Sequence, residues 1–473
     1  MTLPTRFLII GAGPNGLIAA RAFRRYGIDV DIVERHHSVG GLWDIDNPGT
    51  PMYETCSMIS SRIAGGFVGY PMSDELAMYP KWSELRDYIR DFAREFELDE
   101  LCQFDTSVEQ VEPIDSDQGR YYRVRLSTGE MRDYRGVYSA IGTQWRPQLP
   151  QIEGLAGFTG TAIHSKDYRS PKLFDGKRVL VVGAGNSGVD IASDAAFHAS
   201  AAFLSTRRPY WFFPKQIFGV ALPDFLDGRA AIAQRPWMAD MKPEDFMDLI
   251  VATVGDLSAY GLPVPEGPIG ETHPIVSNTV LHAFTHGLLT RRPDIVRIDG
   301  STVHFGDETT EDVDVIVFAT GYQVHYDFLP DDIVQYRRGH PKLHLEVFFP
   351  GQEGLYSGGT IHAAVGAGWT LYDLCANYAA ADANALLTGE NAENMRRFKE
   401  DYQPDMTGGF PFADTPRNEA QYDAETVLYT IPEYARTEFG IPLPTGYDDM
   451  DFYASSPRRS QDATPRDNES VLV

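Results

Sequence analysis

The chain has 473 residues, of which 43% are hydrophobic, and a formal net charge of −26 at pH 7. Its length exceeds that of one compact domain and its apolar content excludes a chain that stays unfolded, so we expect two or three globular domains. The negative charge excludes a broad nucleic-acid-binding face, although a local cluster of donors would still bind an anionic ligand.

Cysteine usage and apolar runs indicate the compartment. The three cysteines, Cys56, Cys102 and Cys375, form no CxxC pair, which favours buried, reduced thiols. No run reaches the ~18 apolar residues of a membrane helix, and the first apolar run, Phe7–Ile10, lacks the features of a secretory signal. We therefore expect a cytoplasmic protein without a membrane or nucleic-acid partner. The sequence leaves open whether the chain forms a homodimer.

The first elements in chain order are a strand, a glycine turn, a helix and a second strand. The apolar strand Phe7–Ile10 leads into the turn GAGPNG at residues 11–16, and a helix over 17–26 and a strand over 29–33 follow. Glu34 closes the unit, about 20 residues after the turn. A carboxylate there holds ribose hydroxyls and repels a 2′-phosphate, so this unit predicts FAD or NAD rather than NADP.

The loop GGLW at residues 40–43 comes next, where the backbone can approach a ligand closely. An amphipathic helix is predicted over 84–96 with Ser83 as its N-cap. An antiparallel meander over 108–137 and a buried strand over 138–143 complete this part. We interpret the helix as scaffold.

A second strand-turn-helix-strand unit lies well inside the chain. The strand Arg178–Val182 leads into the turn GAGNSG at residues 183–188. The strand after the helix ends in Ser205, Thr206 and Arg207 instead of an acid. Hydroxyls and guanidinium groups there accept a 2′-phosphate, so the second unit predicts NADPH rather than NADH.

Residues 214–290 contain few strand patterns and many aromatic side chains. This segment either lines the approach to a substrate or simply packs, and the sequence leaves both open. A buried strand over 313–318 ends at Ala319-Thr320-Gly321-Tyr322, and a long helix over 369–387 is entered through Gly366.

Further residues complete a set of known motifs. The pattern FxGxxxHxxx(Y/F) is matched by Phe158, Gly160, His164 and Tyr168. Together with both glycine turns, the GGLW loop and the ATGY strand end, it makes the chain resemble the flavin-containing monooxygenases, the class B two-dinucleotide flavoproteins. The resemblance spans roughly residues 5 to 400.

The resemblance implies an α/β fold with two Rossmann-like dinucleotide-binding domains, three-layer ββα/αβα, the second inserted in the first. It divides the chain into a first part of the FAD-binding domain at 1–165, an NADPH-binding domain at 166–314 with a helical insertion at about 214–290, a second part of the FAD-binding domain at 315–450, and a disordered tail at 451–473.

The resemblance also assigns residues to each cofactor. For FAD they are Gly11, Gly13, Gly16, Glu34, Gly41, Leu42, Trp43 and Val108. For NADPH they are Gly183, Gly185, Ser187, Gly188, Ser205, Thr206 and Arg207. Thr320 and Gly321 are expected beside a cofactor, and His164 is expected to hold the junction between the domains.

One position departs from the family pattern. Family members carry an Asn near the flavin C4a atom, where this chain has Ile59. Isoleucine cannot hydrogen-bond to a peroxide, so Ser60 and Ser61 are the candidate replacements near C4a.

The implied activity is an FAD- and NADPH-dependent monooxygenase. It would form a C4a-hydroperoxyflavin that oxygenates a soft nucleophile, an amine nitrogen or a sulfide sulfur, with a small molecule and O2 as the partners. Tyr168 favours this reading over the related Baeyer–Villiger enzymes, which act on ketones and usually carry Trp there. An NADPH oxidase releasing H2O2 and a non-catalytic redox sensor remain alternatives, whereas the missing CxxC disfavours a disulfide reductase.

Overall fold

A computed structural model describes residues 2–226, 229–363 and 368–454. The predicted tail from residue 455 onward and Gly366 lie outside these residues. The α-helices within them are Pro14–Arg25, Trp82–Glu95, Asn186–His198, Leu222–Leu226, Arg229–Gln234, Pro243–Val254, Thr279–Thr285, Gly368–Thr388, Ala392–Glu400, Ile431–Phe439 and Met450–Ala454.

The first glycine turn, residues 11–16, lies at the carboxyl edge of a parallel sheet. The strands of this first sheet, in spatial order, are Leu355–Ser357, Gly136–Ser139, Phe7–Ile10, Val30–Val33 and Cys102–Gln103. Ile10 is in register with both Val33 and Ser139. Their carboxyl ends therefore meet beside the turn, where open α/β sheets bind ligands.

Side chains along the central strand alternate between two cores, which divides the first domain into layers. Phe7 and Ile9 pack beneath the helices, whereas Leu8 and Ile10 pack beneath an antiparallel sheet. The strands of that antiparallel sheet are Val108–Ser116, Gly119–Leu126 and Met131–Tyr134. The result is the expected ββα arrangement.

The second glycine turn, residues 183–188, also lies at the carboxyl edge of a parallel sheet. The strands of its parallel sheet, in spatial order, are Thr290–Arg292, Ala201–Ser205, Arg178–Val182, Val315–Phe318 and Thr161–His164. Val179 and Val181 pack toward the helices, and Leu180 and Val182 pack toward an antiparallel layer. The strands of that layer are Ile295–Asp299, Thr302–Phe305 and Thr310–Asp312.

Two strands of the second sheet lie outside the predicted NADPH-binding domain of 166–314. Val315–Phe318 pairs with the central strand, and Thr161–His164 pairs with Val315–Phe318. The chain thus enters and leaves the second domain through adjacent strands. Because both strands belong to the second sheet, both predicted boundaries of the second domain change, and this domain covers about 161–318.

The segment predicted as a helical insertion also contains short strands. Its helices enclose a core of their own with Phe213, Phe225 and Ile250. Two of the two-stranded pairs lie in or beside this segment, Phe212–Phe213 with Ile275–Val276 and Gln216–Ile217 with Val220–Ala221. Elsewhere in the described residues the pairs are Arg146–Pro147 with Tyr322–Gln323, Tyr336–Arg337 with His340–Pro341, and His362–Ala363 with Gln421–Tyr422.

The predicted N-cap at Ser83 is wrong, because the helix Trp82–Glu95 begins earlier and has Lys81 as its N-cap residue. The Glu84 carboxylate accepts the Lys81 backbone N–H at 2.8 Å. An acidic side chain in the first turn therefore does the capping that the sequence attributes to a hydroxyl.

The long helix Gly368–Thr388 packs on the first helix of the chain through a buried ion pair. Arg21 Nη2 and Asp373 Oδ1 are 3.0 Å apart, and the Tyr453 hydroxyl donates to the same carboxylate at 2.9 Å. Tyr453 belongs to the helix Met450–Ala454. The predicted start of a disordered tail at residue 451 is therefore wrong for its first four residues, because Tyr453 covers a buried charge.

Candidate active site

The first glycine turn leaves no room for side chains at two positions. Gly11 has φ +105°, and a Cβ there would lie 2.7 Å from the Ala140 carbonyl oxygen. A Cβ on Gly16 would lie 1.9 Å from the Gly11 carbonyl oxygen. Within the turn, the buried Asn15 Nδ2 has no hydrogen-bond partner among the described residues. A donor left unpaired at this place fits a turn built to meet a ligand.

The GGLW loop closes on the first turn. A Cβ on Gly41 would lie 2.8 Å from Gly13 Cα, and the φ of Gly41 is +59°. The Gly40 N–H donates to the Ala12 carbonyl at 3.1 Å. Only glycines permit this approach of two backbones, so the structure brings together two motifs that are separate in the sequence.

Asp44, which the sequence analysis missed, anchors this loop. Its carboxylate is fully buried, accepts from Arg90 Nη2 at 2.8 Å and lies 3.1 Å from His36 Nε2. Burial opposes ionisation, but the hydrogen bonds prevail and the pKa of Asp44 is lowered. Just before it, Leu42 and Trp43 are half-buried against the core of the second domain. The sequence signal that could have identified Asp44 is the position of an acidic residue directly after GGLW.

Glu34 lies beside the first turn, as its spacing predicts. Its buried carboxylate accepts the backbone N–H groups of Ala12 at 2.7 Å and His36 at 2.8 Å. The Thr106 N–H donates to the Glu34 carbonyl at 3.0 Å. Val108 follows, half-buried, at the start of the antiparallel sheet. Glu34 thus adds a negative charge to the edge of the first site.

The second glycine turn repeats the first one. Gly183 has φ +104°, and a Cβ there would lie 2.6 Å from the Ala319 carbonyl oxygen. A Cβ on Gly188 would lie 1.9 Å from the Gly183 carbonyl oxygen. Ser187 is exposed, and the buried Asn186 Oδ1 has no hydrogen-bond partner among the described residues.

The end of the strand Ala201–Ser205 is polar and basic. The buried Ser205 hydroxyl donates to the Pro293 carbonyl at 2.8 Å, so its hydrogen is not available to a ligand. Thr206 Oγ1 accepts from Arg291 Nε at 3.0 Å. Arg207 is exposed and forms no ion pair with a described residue. Sequence reasoning missed Arg291, which pairing of Thr290–Arg292 at the sheet edge brings to this place.

The junction between the domains is held by hydrogen bonds of His164 and Thr320. His164 Nδ1 accepts the Lys166 N–H at 3.1 Å, and Nε2 therefore carries the proton it donates to the Gly321 carbonyl at 3.1 Å. Burial lowers the pKa of His164, so the ring is neutral at pH 7. The Thr320 hydroxyl donates to Gln148 at 2.5 Å.

A polar seam ties the first domain to the helix Asn186–His198. The Tyr168 hydroxyl donates to Asp194 at 2.8 Å, and the Tyr53 hydroxyl donates to Asp190 at 3.1 Å. Burial raises the pKa of both carboxyl groups. The aromatic residue that closes the FxGxxxHxxx(Y/F) motif is thus a structural contact within the second domain, whereas Tyr53 makes the contact between the domains.

Residues 59–61 lie in the loop expected near the flavin C4a atom, and their side chains differ in exposure to solvent. Ile59 is 39% exposed and Ser60 is half-buried. Ser61 is 1% exposed and donates its hydroxyl to Asp224 of the insertion. That contact gives Ser61 a structural role which the sequence does not predict and leaves Ser60 as the more accessible hydroxyl.

The described residues contain neither a metal-binding cluster nor a membrane-spanning helix. Residues 2–226, 229–363 and 368–454 hold no group of three or more His, Cys, Asp or Glu side chains arranged to bind a metal ion. In the same part of the chain no helix has the length and apolar character required to span a bilayer. The cysteines Cys56, Cys102 and Cys375 are all free thiols.

A family model described as flavin-binding monooxygenase-like matches residues 5–370. The chain belongs to this family. The match confirms the resemblance that the glycine turns, the GGLW loop and the FxGxxxHxxx(Y/F) motif indicate, and it covers every residue of both turns.

A curated relative of this family member is dimethylaniline monooxygenase [N-oxide-forming] 2 of Mus musculus, 28% identical over 367 residues. The match covers 73% of this chain and 66% of the relative, so the chain spans slightly less than two thirds of that protein.

Solved structures show the same fold at lower identity. S-allyl-L-cysteine S-oxygenase from Allium sativum is 21% identical with a TM-score of 0.62, covering 93% of this chain and 89% of that one. The OTEMO complex with FAD and NADP is 17% identical with a TM-score of 0.68, covering 93% and 99%. These matches confirm the α/β fold with two Rossmann-like domains.

Proposed function

We propose that this family member is an FAD- and NADPH-dependent monooxygenase that oxygenates an amine nitrogen or a sulfide sulfur of a small molecule, with O2 as co-substrate. The observation that carries the proposal is the pair of glycine turns, which share one backbone geometry but have opposite charges at the neighbouring strand end. We keep a cytoplasmic location as a prediction.

The residues at the first turn fit FAD. Gly11, Gly13 and Gly16 allow close approach of a pyrophosphate, and the unpartnered Asn15 Nδ2 offers a donor. Glu34 favours ribose hydroxyls over a 2′-phosphate at the strand end. Gly41, Leu42, Trp43 and Val108 complete the proposed contacts, as the family resemblance implies.

The residues at the second turn fit NADPH. Gly183, Gly185, Ser187 and Gly188 form the proposed pyrophosphate cradle. Ser205, Thr206 and Arg207 lie at the proposed 2′-phosphate position, and Arg291 adds a guanidinium beside Thr206. We place Thr320 and Gly321 where the two cofactors approach each other.

Gly11, Gly13, Gly16 and Glu34 would hold the flavin, which would supply hydride acceptance from NADPH and activation of O2, with one oxygen atom for the substrate and the other released as water. The chain's own residues hold the two cofactors and exclude water. His164 holds the junction between the domains and Tyr168 packs within the second domain, and neither transfers a proton in this scheme. Ser60 is the proposed hydroxyl near the flavin, and the apolar Ile59 beside it offers no hydrogen bond.

Product analysis tests this proposal. The purified holoenzyme is incubated with NADPH and, separately, a tertiary amine, a sulfide and a cyclic ketone, and NADPH, H2O2 and products are measured together. We expect an N-oxide or sulfoxide. A lactone from the ketone alone would instead show a Baeyer–Villiger enzyme, and NADPH use matched entirely by H2O2 would show an oxidase.

Substitution of Ile59 sharpens the same experiment. Ile59→Asn restores the amide that family members carry, so we expect more product and less H2O2 per NADPH. Ile59→Leu keeps the side chain apolar and is the matched control, expected to behave like the wild type. Equal coupling in all three proteins would show that residue 59 does not face the reacting oxygen.

A further inference from the structure

A C-terminal strap, defined as residues 413–422, crosses from one domain to the other and lies outside the family-matched span of 5–370. The Ala413 N–H donates to the Glu271 carbonyl of the insertion at 2.9 Å. Gln421–Tyr422 pairs with His362–Ala363, and Glu419 forms an ion pair with Arg337 at 3.1 Å. The strap is thus fixed at both ends.

Between these ends, Arg417 lies over the second glycine turn. A Cβ on Gly185, the middle glycine, would lie 3.2 Å from Arg417 Nη1. In the first turn the corresponding glycine, Gly13, faces the backbone of Gly41 instead. The position where a dinucleotide pyrophosphate approaches is therefore covered by a cation in the second site.

No carboxylate of a described residue lies within ion-pair distance of Arg417. Arg417 is exposed, and the positive charge of Arg208 acts on it from nearby. The buried Arg208 Nε has no hydrogen-bond partner among the described residues. Both guanidinium groups are therefore available to donate to an anion that approaches this turn.

Two histidines lie on this side of the strap, and the strap's own Glu419 is paired with Arg337. His273 faces both Arg417 and His362, and its pKa is lowered to about 3, first by burial and then by these neighbours. The His273 ring is therefore neutral at pH 7.

We propose that Arg417 binds the pyrophosphate of the nicotinamide dinucleotide at the second glycine turn, with Arg208 beside it, so that the strap contributes to cofactor binding. This inference rests on the proposed function. The turn supplies backbone donors on one side of the pyrophosphate, and the forked guanidinium supplies donors on the other. A bound anion would also offset the repulsion between the two cations.

Calorimetric titration of the flavin-loaded protein with NADP+ and with 2′-AMP tests the proposal. Only NADP+ carries a pyrophosphate, whereas both ligands carry the 2′-phosphate. For Arg417→Gln we expect NADP+ affinity to fall about 10- to 100-fold, as for loss of charge-assisted hydrogen bonds, with 2′-AMP affinity unchanged. Arg417→Lys should recover part of the loss.

The control is Arg338→Gln, which removes an exposed guanidinium paired with Asp414 of the strap and should change neither affinity. Unchanged NADP+ affinity in Arg417→Gln, or equal weakening of both ligands, would overturn the role of Arg417. A wild-type protein that binds neither ligand would contradict the proposed function itself. Flavin content and melting temperature, measured alongside, show that each variant is folded.

Discussion

The two glycine turns have nearly the same backbone and different chemical surroundings. The first glycines have φ +105° and +104°, and a Cβ on the last glycine would lie 1.9 Å from a carbonyl oxygen in both. Gly11 N–H donates to Val33, and Gly183 N–H donates to Ser205, each at 2.9 Å. Steric constraints thus determine the turn, whichever dinucleotide it binds.

In the proposed assignment, the charged surroundings determine which dinucleotide each turn binds. The first turn has the carboxylate of Glu34 at the strand end and the Gly41 backbone over its middle glycine. The second has Arg207 and Arg291 at the strand end and the Arg417 guanidinium over its middle glycine. A negative rim repels a 2′-phosphate and a positive rim attracts it, so charge distinguishes two sites that shape alone does not.

The largest expected effects come from filling the turns. Gly16→Ala places a Cβ on backbone that cannot move aside, so we expect a loss of about 3 kcal/mol in unfolding free energy and protein purified without flavin. Gly188→Ala should keep its flavin and lose NADP+ binding. Gly157→Ala is the control, because nothing lies within 4 Å of its Cβ. Equal flavin loss in both turn variants would contradict the assignment of separate sites.

The next effect concerns the anchor of the GGLW loop. Asp44→Ala leaves Arg90 and His36 without their buried partner, so we expect a loss of about 3 kcal/mol and weaker flavin retention. Since the pKa of Asp44 is lowered in the folded protein, its stabilisation is present above the ordinary aspartate pKa of about 4 and is lost as pH falls through the folded value.

Urea unfolding between pH 3 and pH 7 measures this contribution. The wild type should lose more stability in acid than Asp44→Ala does. Asp91→Ala, which removes an exposed ion pair with Arg94, is the matched control and should change stability by less than about 1 kcal/mol. Parallel pH profiles for wild type and Asp44→Ala would refute the role of this carboxylate.

The positive rim of the second site gives a smaller effect. Arg207→Ala removes an exposed guanidinium near the proposed 2′-phosphate, so the NADPH-to-NADH ratio of kcat/KM should fall about tenfold, the equivalent of one charge-assisted hydrogen bond. Adding Arg291→Ala should lower the ratio further. If the ratio stays at its wild-type value in the double variant, the second site does not select NADPH by this rim.

The smallest effect is expected at Tyr168, which contacts the helix Asn186–His198 of its own domain. Tyr168→Phe removes one hydrogen bond to Asp194 and keeps the ring stacked on Phe174, so unfolding free energy should fall by about 1 kcal/mol. Tyr434→Phe alters an exposed ring and should be neutral. A tenfold change in NADPH kcat/KM for Tyr168→Phe, without lost stability, would show that the residue takes part in the reaction rather than only supporting this helix.

Elements with a strong local pattern could be predicted from the sequence. The strands Phe7–Ile10 and Arg178–Val182 are observed with the predicted bounds, because continuous apolar runs before a glycine turn leave few alternatives. Sheet membership could not be predicted this way. Val315–Phe318 and Thr161–His164 belong to the second sheet through pairing between strands that are distant in sequence.

Contacts between residues that are distant in sequence also explain which site residues the motifs do not reveal. Arg291 and Arg417 reach their places through tertiary contacts that no motif marks, whereas Asp44 directly follows the GGLW motif. Ser61 shows the converse, since the sequence offers a free hydroxyl and the fold pairs it with Asp224. Motifs give the backbone that holds a ligand, whereas the side chains that cover and charge the site depend on the fold.

The most direct test of the comparison is to identify the dinucleotide bound at each turn. Cofactor released from the purified protein is quantified, and the flavin-loaded protein is then titrated with NADP+ and NAD+. We predict one FAD per chain and a single further site that binds NADP+ at least about tenfold more tightly than NAD+. Two FAD molecules per chain, or equal affinities for NADP+ and NAD+, would contradict the account.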